Sequence, residues 1–373
     1  MEEDFTTRAN VKRNEYLLKT EELFVTNKAA WFSAFASHFR QICAQIRKMQ
    51  EESALSAISY LEYNMLYNNF INRRYVTQVC AYGEKSYLDK SQRILGEYDV
   101  SFLFVYFDKL WDDLINLKRR LVGQAAAVEI TKYMLDTLPD FYSYLANIAR
   151  FAVADCIDKS PFVDIDKNEV FMINVGDYMA KTETVYTESK DKDSDKLTDW
   201  FHEQLYKEYV FGDYSNLDFS GKSFAYTDLR YAQFRNSNLK DTDLSGSSLI
   251  GVNFRHANMV NCRMNSCSIY EADFSDANLK NASLIDAHAK IGLTDEKEWK
   301  FVGFLPAVFR NADLTGVDFT GADLTGADFS GAVLTDAVFT NANLTGADFT
   351  RADLSKTDFS GAVLIDAIFP EQI

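Results

Sequence analysis

The sequence predicts an α+β chain in two parts, a mostly α-helical part over residues 1–210 and a repetitive solenoid over 211–373. Three observations carry this prediction. From Tyr214 onward, large apolar residues recur every fifth position. That period matches neither the 3.6 of a helix nor the 2 of a strand. Residues 1–210 lack it and instead space apolar residues by three and four, as amphipathic helices do. The 373 residues, 47% hydrophobic, suffice for about two domains with their own cores.

In the first part, Trp31, Phe35, Phe39, Ile42, Ile46 and Met49 form the apolar stripe of a helix. Arg40, Arg47 and Lys48 fall on its wet side. Further helices are expected over 52–72, 99–121, 124–135 and 140–155. Residues 75–81 alternate as a strand does, and 169–175 with 182–187 suggest a hairpin around Gly176. The run 188–196 reads as a charged loop. Residues 197–210 read as a helix entering the first repeat. A solenoid end exposes strand edges and an apolar cross-section, so it needs a cap. Residues 197–210 suffice for that, and the excess length points to a second, binding task.

In the second part, the apolar series runs from Tyr214 to Leu284 in 15 consecutive pentads and from Phe309 to Phe369 in 13 more. A small residue, usually Ala, stands two positions earlier, and Asp or Asn one position earlier. Ser or Thr and then Gly, Asp or Asn usually follow, which is turn chemistry. The backbone must therefore turn a corner once per pentad. Tyr214, Phe234, Phe254 and Phe274 recur every 20 residues, as an aromatic stack along a 20-residue coil requires. After Phe309, Phe and Leu alternate strictly, so Phe occupies two opposite sides of the coil.

Units such as Ala322-Asp323-Leu324-Thr325-Gly326 resemble the pentapeptide-repeat family, whose motif is A(D/N)LXX. The resemblance covers roughly residues 212–370. It implies a right-handed quadrilateral parallel β-helix with four pentads per coil. The 28 pentads then make seven coils, a rod of about 34 Å. An inward residue replaced by a charge, as in Leu324→Asp, is expected to disrupt the stack.

Residues 290–306 lack the motif. They are expected to bulge from the rod as a loop or short helix and to pack back on its wall. The alternative is a partner-contacting loop using Trp299, Phe301 and Phe304. Family members that act on DNA gyrase often carry such loops.

Little in the chain points to catalysis, a cofactor or a metal. Gly221-Lys222-Ser223 ends like a phosphate-binding loop, but Asn216 stands where that loop needs its first glycine. Asp191, Asp193 and Asp195 open like a calcium loop, yet Lys196 replaces the turn glycine. Cys262 and Cys267 occupy the small inward position and read as buried substitutes for Ala. The four histidines, His38, His202, His256 and His288, have no metal spacing.

The net charge of −16 is unevenly placed. Residues 311–373 carry −8, residues 211–310 carry −1, and residues 1–210 carry −7. Asp313, Asp318, Asp323, Asp328, Asp348, Asp353 and Asp358 form a candidate acidic contact surface. In the balanced coils, Arg235 and Arg255 lie 20 apart and stack on one side. Val363, Leu364, Ile365, Ile368 and Phe369 crowd the last coil and suggest docking of a partner or a second copy there. Such acidity disfavours direct binding to nucleic acid or an anionic membrane. The acidic start, short apolar runs and only five cysteines suggest a cytoplasmic protein.

The expected function is a non-enzymatic interaction or scaffold protein whose rigid β-helix positions a protein partner. Two alternatives stand beside it. One is a DNA mimic that binds DNA gyrase or another type II topoisomerase and confers inhibitor resistance, as the resemblance implies for some members. The other is a small-ligand or enzymatic site in the first part.

Overall fold

The computed structural model describes residues 5–84, 92–120, 127–178, 182–190, 209–289 and 305–370. The chain divides into two compact units, Met1–Glu188 and Ser189–Ile373.

The first unit opens with a 47-residue helix, α1 (Phe5–Glu51). The stripe from Trp31 to Met49 is its second half, and Phe35, Phe39, Ile42 and Ile46 are buried. There follow β1 (Ile58–Met65), α2 (Tyr67–Ile71), β2 (Val76–Tyr82), β3 (Arg93–Asp99), α3 (Val105–Arg120), α4 (Ala127–Ala154), β4 (Lys167–Asp177) and β5 (Thr182–Ser189). The strands form one sheet in the order β3-β2-β1-β4-β5. β1 runs antiparallel to β2, with Leu61 opposite Ala81, and parallel to β4, with Leu61 opposite Ile173. The parallel pair needs a long crossover, which contains α3 and α4. The Phe35 ring of α1 packs on Tyr63 of β1 at 4.9 Å and on Tyr98 of β3 at 5.1 Å.

The first unit is helical and also carries a five-stranded sheet, larger than the strand and hairpin expected there. The segment expected as a helix over 52–72 contains β1 and only the short α2. β1 is the central strand and is buried almost throughout, so its apolar residues do not alternate. β3 went unanticipated because Arg93, Gly96, Glu97 and Asp99 dilute its apolar residues. The helices expected over 124–135 and 140–155 are one helix, α4, which continues through Pro139. The strand at 75–81 and both hairpin strands are present, with β4 running through Gly176 to Asp177.

The second unit is a solenoid of parallel bridges. Asp213 pairs with Gln233, Gln233 with Asn253, and so on at an offset of 20, with four bridge columns per coil. Every fifth residue holds a corner at positive φ, for example Asn236 (56°), Gly326 (73°) and Asn341 (58°). Gly and Asn tolerate that conformation, which explains their recurrence. Inward residues from Tyr214 to Phe349 are fully or almost fully buried. One ring column runs Tyr214, Phe234, Phe254, Phe274, Phe309, Phe329, Phe349, Phe369, with centroids 4.8–5.5 Å apart. A second column holds Phe319, Phe339 and Phe359.

Phe309 lies over Phe274 because bridges around the interruption shift to an offset of 35, as in Asp273 with Val308. Fifteen residues are thus inserted between Ala289 and residue 305 without breaking the column. Ala289 itself is a fully buried inward residue. The apolar series passed over it because alanine is small.

Candidate interaction surface

The seven aspartates stand at bridge positions, one residue before an inward side chain. The structure does not gather them on one wall. Asp328 and Asp348 are bridge neighbours, while Val333 separates Asp313 from Asp353 and Val338 separates Asp318 from Asp358. Asp323 is followed in its column by Asn343. All four columns therefore carry acid.

Each carboxylate also closes a local turn. Its Oδ1 accepts the N–H two residues on, from Thr315, Thr320, Thr325, Ser330, Thr350, Ser355 and Ser360 in chain order. Six of these residues donate their hydroxyl as well, Thr350 being the exception. The Ser355 hydroxyl and N–H hold Asp353 below the usual carboxylate range, and Ser360 does the same for Asp358. Lys280 Nζ pairs with Asp313 at 3.0 Å, and Arg310 Nε with Asp328 at 2.5 Å. Among the described residues, Asp318, Asp323, Asp348, Asp353 and Asp358 have no basic side chain within 4 Å. In the earlier coils Arg230 pairs with Asp228 and Arg263 with Asp243. Arg235 and Arg255 share a column, and Arg255 approaches Asp273 at 3.9 Å.

In the last coil, Val363, Leu364, Ile365, Ile368 and Phe369 are exposed, Ile365 to 62% and Ile368 to 54%. Leu364 and Phe369 are inward residues, so their exposure is that of a coil with nothing described above it. In the rod the N–H of an inward residue donates to a carbonyl 19 residues on, as Phe349 does to Ile368. Trp299, Phe301 and Phe304 lie outside the described residues, as do Asp191, Asp193, Asp195 and His202.

No three His, Cys, Asp or Glu side chains among the described residues are placed to hold a metal. Cys262 and Cys267 are buried inward thiols, and Cys267 Sγ donates to Leu244 O at 3.0 Å. Gly221 is a corner at φ +68° and Ser223 bridges to Asp243, so the repeat absorbs the phosphate-loop likeness. Among the described residues, no helix is long and apolar enough to cross a membrane.

One polar group escaped the sequence. Across the sheet of the first unit, Glu62 stands opposite Cys80 and Asn174, beside the fully buried Asn64. Burial raises the Glu62 carboxyl above its usual range, opposed by hydrogen bonds from Asn64, Asn174 and Tyr82. Asn64 Nδ2 donates to Tyr82 Oη at 3.2 Å, and Thr184 Oγ1 to Asn174 at 3.0 Å. No spacing rule joins residues from four strands, so only the register reveals them.

The family model for pentapeptide repeats matches in eight copies, over residues 215–246, 227–266, 247–286, 307–331 and 332–369. Residues 215–369 are thus a pentapeptide-repeat region. Among solved structures, HetL is a pentapeptide repeat protein involved in heterocyst differentiation regulation in the cyanobacterium Nostoc sp. strain PCC 7120. It is 21% identical, covers 47% of this chain and 98% of its own, and has a TM-score of 0.23. QnrB1, a plasmid-mediated fluoroquinolone resistance protein, is 19% identical over 43% of this chain and 86% of its own, with a TM-score of 0.27. A pentapeptide repeat protein of the Arabidopsis thaliana thylakoid lumen is 30% identical over 36% of this chain and 68% of its own, with a TM-score of 0.22. A search of curated proteins found no significant match.

Proposed function

From a pentapeptide-repeat region joined to a helical and sheet-containing unit, we propose a non-enzymatic interaction protein that presents a rigid, right-handed, four-sided β-helix to a basic protein partner. The single observation that carries this reading is the set of five aspartates, Asp318, Asp323, Asp348, Asp353 and Asp358, that lack a basic neighbour among the described residues, on a solenoid too well packed to rearrange. Their field surrounds the coils rather than marking one wall, which suits a partner that wraps the rod. The five-fold Asp→Asn variant tests it. The partner co-purified with the wild-type protein should be lost from the variant and released from the wild type by salt. Equal recovery on both proteins would refute the reading.

The last coil offers a second docking element, for another copy of the chain. It exposes apolar side chains, which a two-fold axis would let pack on the same side chains of a second copy. Ile368→Asp should convert a dimer to a monomer in light scattering. Monomer mass for both proteins removes the dimer.

A second reading is mimicry of duplex DNA toward DNA gyrase or another type II topoisomerase. Its support is the −8 charge of residues 311–373. A supercoiling assay decides it, since no effect at micromolar protein removes this reading.

A further inference from the structure

We propose that the wall between Tyr226 and Tyr231 binds a neutral saccharide, independently of the acidic coils. Both tyrosines occupy corners at φ +61°, a conformation that Gly, Asn or Asp fills at most other corners. A bulky side chain is costly there, and such outliers concentrate at functional sites. The Tyr226 ring rests against Gly246 of the next coil, where a β-carbon would come within 2.6 Å of it. The Tyr231 ring rests likewise on Gly251 and stacks on Phe211 at 5.2 Å. Supported in this way, Tyr226 still leaves 76% of its surface in solvent.

Between the rings lie Asp228 and Arg230. Arg230 donates Nε to Asp228 Oδ1 at 2.9 Å and Nη2 to Oδ2 at 2.8 Å. The Arg230 N–H reaches the same carboxylate at 3.2 Å. This pair is bidentate and locally neutral. It leaves the Nη1 donors and spare carboxylate lone pairs unused by the pair, on a half-exposed arginine. Beside it on the next coil, Asp228 bridges to the small Ser248.

The chemistry selects the ligand. An exposed aromatic ring takes an apolar face, and the neutral Asp–Arg pair takes adjacent hydroxyls. A neutral pair gives a charged ligand no advantage over a neutral one. A pyranose has both apolar C–H faces and equatorial hydroxyls.

Native affinity electrophoresis of the full chain tests this, with barley β-glucan, xylan, galactomannan and soluble starch in the gel. At least one polymer should retard the wild-type protein. Tyr226→Ala should weaken that retardation about tenfold, the upper value of one aromatic contact. Tyr226→Phe should keep it. Gly246→Asn preserves the corner, as Asn236 and Asn261 do, but displaces the ring and should weaken retardation. Circular dichroism should show all variants folded, since Tyr226 is exposed. Failure of all four polymers to retard the wild type overturns the proposal, as does retardation that survives Tyr226→Ala.

Discussion

The ring column makes a quantitative demand that distinguishes its middle from its end. Phe329 is fully buried and touches four rings, Phe309 at 4.9 Å and Phe349 at 5.0 Å stacked, Phe339 at 5.6 Å and Phe319 at 5.8 Å edge-on. Phe329→Ala removes that burial and leaves a cavity that the coils above and below are too regular to close. Phe→Ala in such a core costs about 3–5 kcal/mol, and we take about 4. Phe369 is 41% exposed, with one stacked neighbour at 5.4 Å and one edge-on at 5.9 Å. Its truncation loses part of the transfer term and encloses no cavity, about 1–2 kcal/mol. With a urea m-value of about 2 kcal/mol/M, Phe329→Ala should lower the midpoint of the repeat unit by about 2 M. Phe369→Ala should lower it by less than about 1 M. Far-UV circular dichroism of the full chain reads both. Equal shifts would refute the ring column as drawn, because a half-exposed ring with two partners would then count as much as a buried ring with four.

Three further outcomes follow from the same geometry. The folded-state pKa values of Asp353 and Asp358 lie below their unfolded ones, so their stabilisation is present above about pH 4 and is lost as pH falls through the folded values. The double Asn variant should therefore show a flatter acid limb in melting temperature against pH. Glu62 is shifted the other way, so its contribution is full below its unfolded pKa and is lost as pH rises through the folded one. Glu62→Gln should raise the melting temperature of the first unit at pH 7.5 and lose that advantage at pH 4. Gly346 stands at φ +69° with open space around a would-be β-carbon. There Gly346→Ala should cost about 1 kcal/mol of purely conformational origin and Gly346→Asn less, as thermal melts would show.

How much was legible depended on whether a residue's neighbour lies at a fixed sequence offset. In the repeat the neighbour is 20 residues away, so Tyr214, Phe234, Phe254 and Phe274 announced the coil and its ring column. The interruption itself showed as missing pentads, but the stacking of Phe309 on Phe274 did not, because Ala289 is too small to count as an inward residue. In the first unit, neighbours follow the order of the sheet. Leu61 meets Ala81 on one side and Ile173 on the other, at separations that no periodicity encodes. Hence the helical stripe of α1 could be read, whereas β1, buried on both sides, could not be told from a helix. The acidic candidates were found as a list of residues, and only the bridges distribute them over four columns.

That distribution sharpens what the acidity means. An aspartate at the bridge position closes its turn by accepting the N–H two residues on, which by itself would make the charge incidental to folding. Asparagine performs the same turn in this chain. Asn238, Asn253, Asn278 and Asn343 accept the N–H groups of Lys240, Arg255, Lys280 and Thr345 in the same geometry. The fold therefore asks for a side-chain oxygen and not for a carboxylate. In the middle coils, where asparagine serves, the donor of the turn is often basic. In the last coils, where aspartate mostly serves, the donor is Thr or Ser, and among the described residues no cation stands within 4 Å of Asp318, Asp323, Asp348, Asp353 or Asp358. The excess charge is thus separable from the turn. An Asp→Asn exchange at these five positions should leave the coils folded while removing the field. A variant that unfolds at neutral pH would show that the charge belongs to the fold and would withdraw the acidic surface as a docking element.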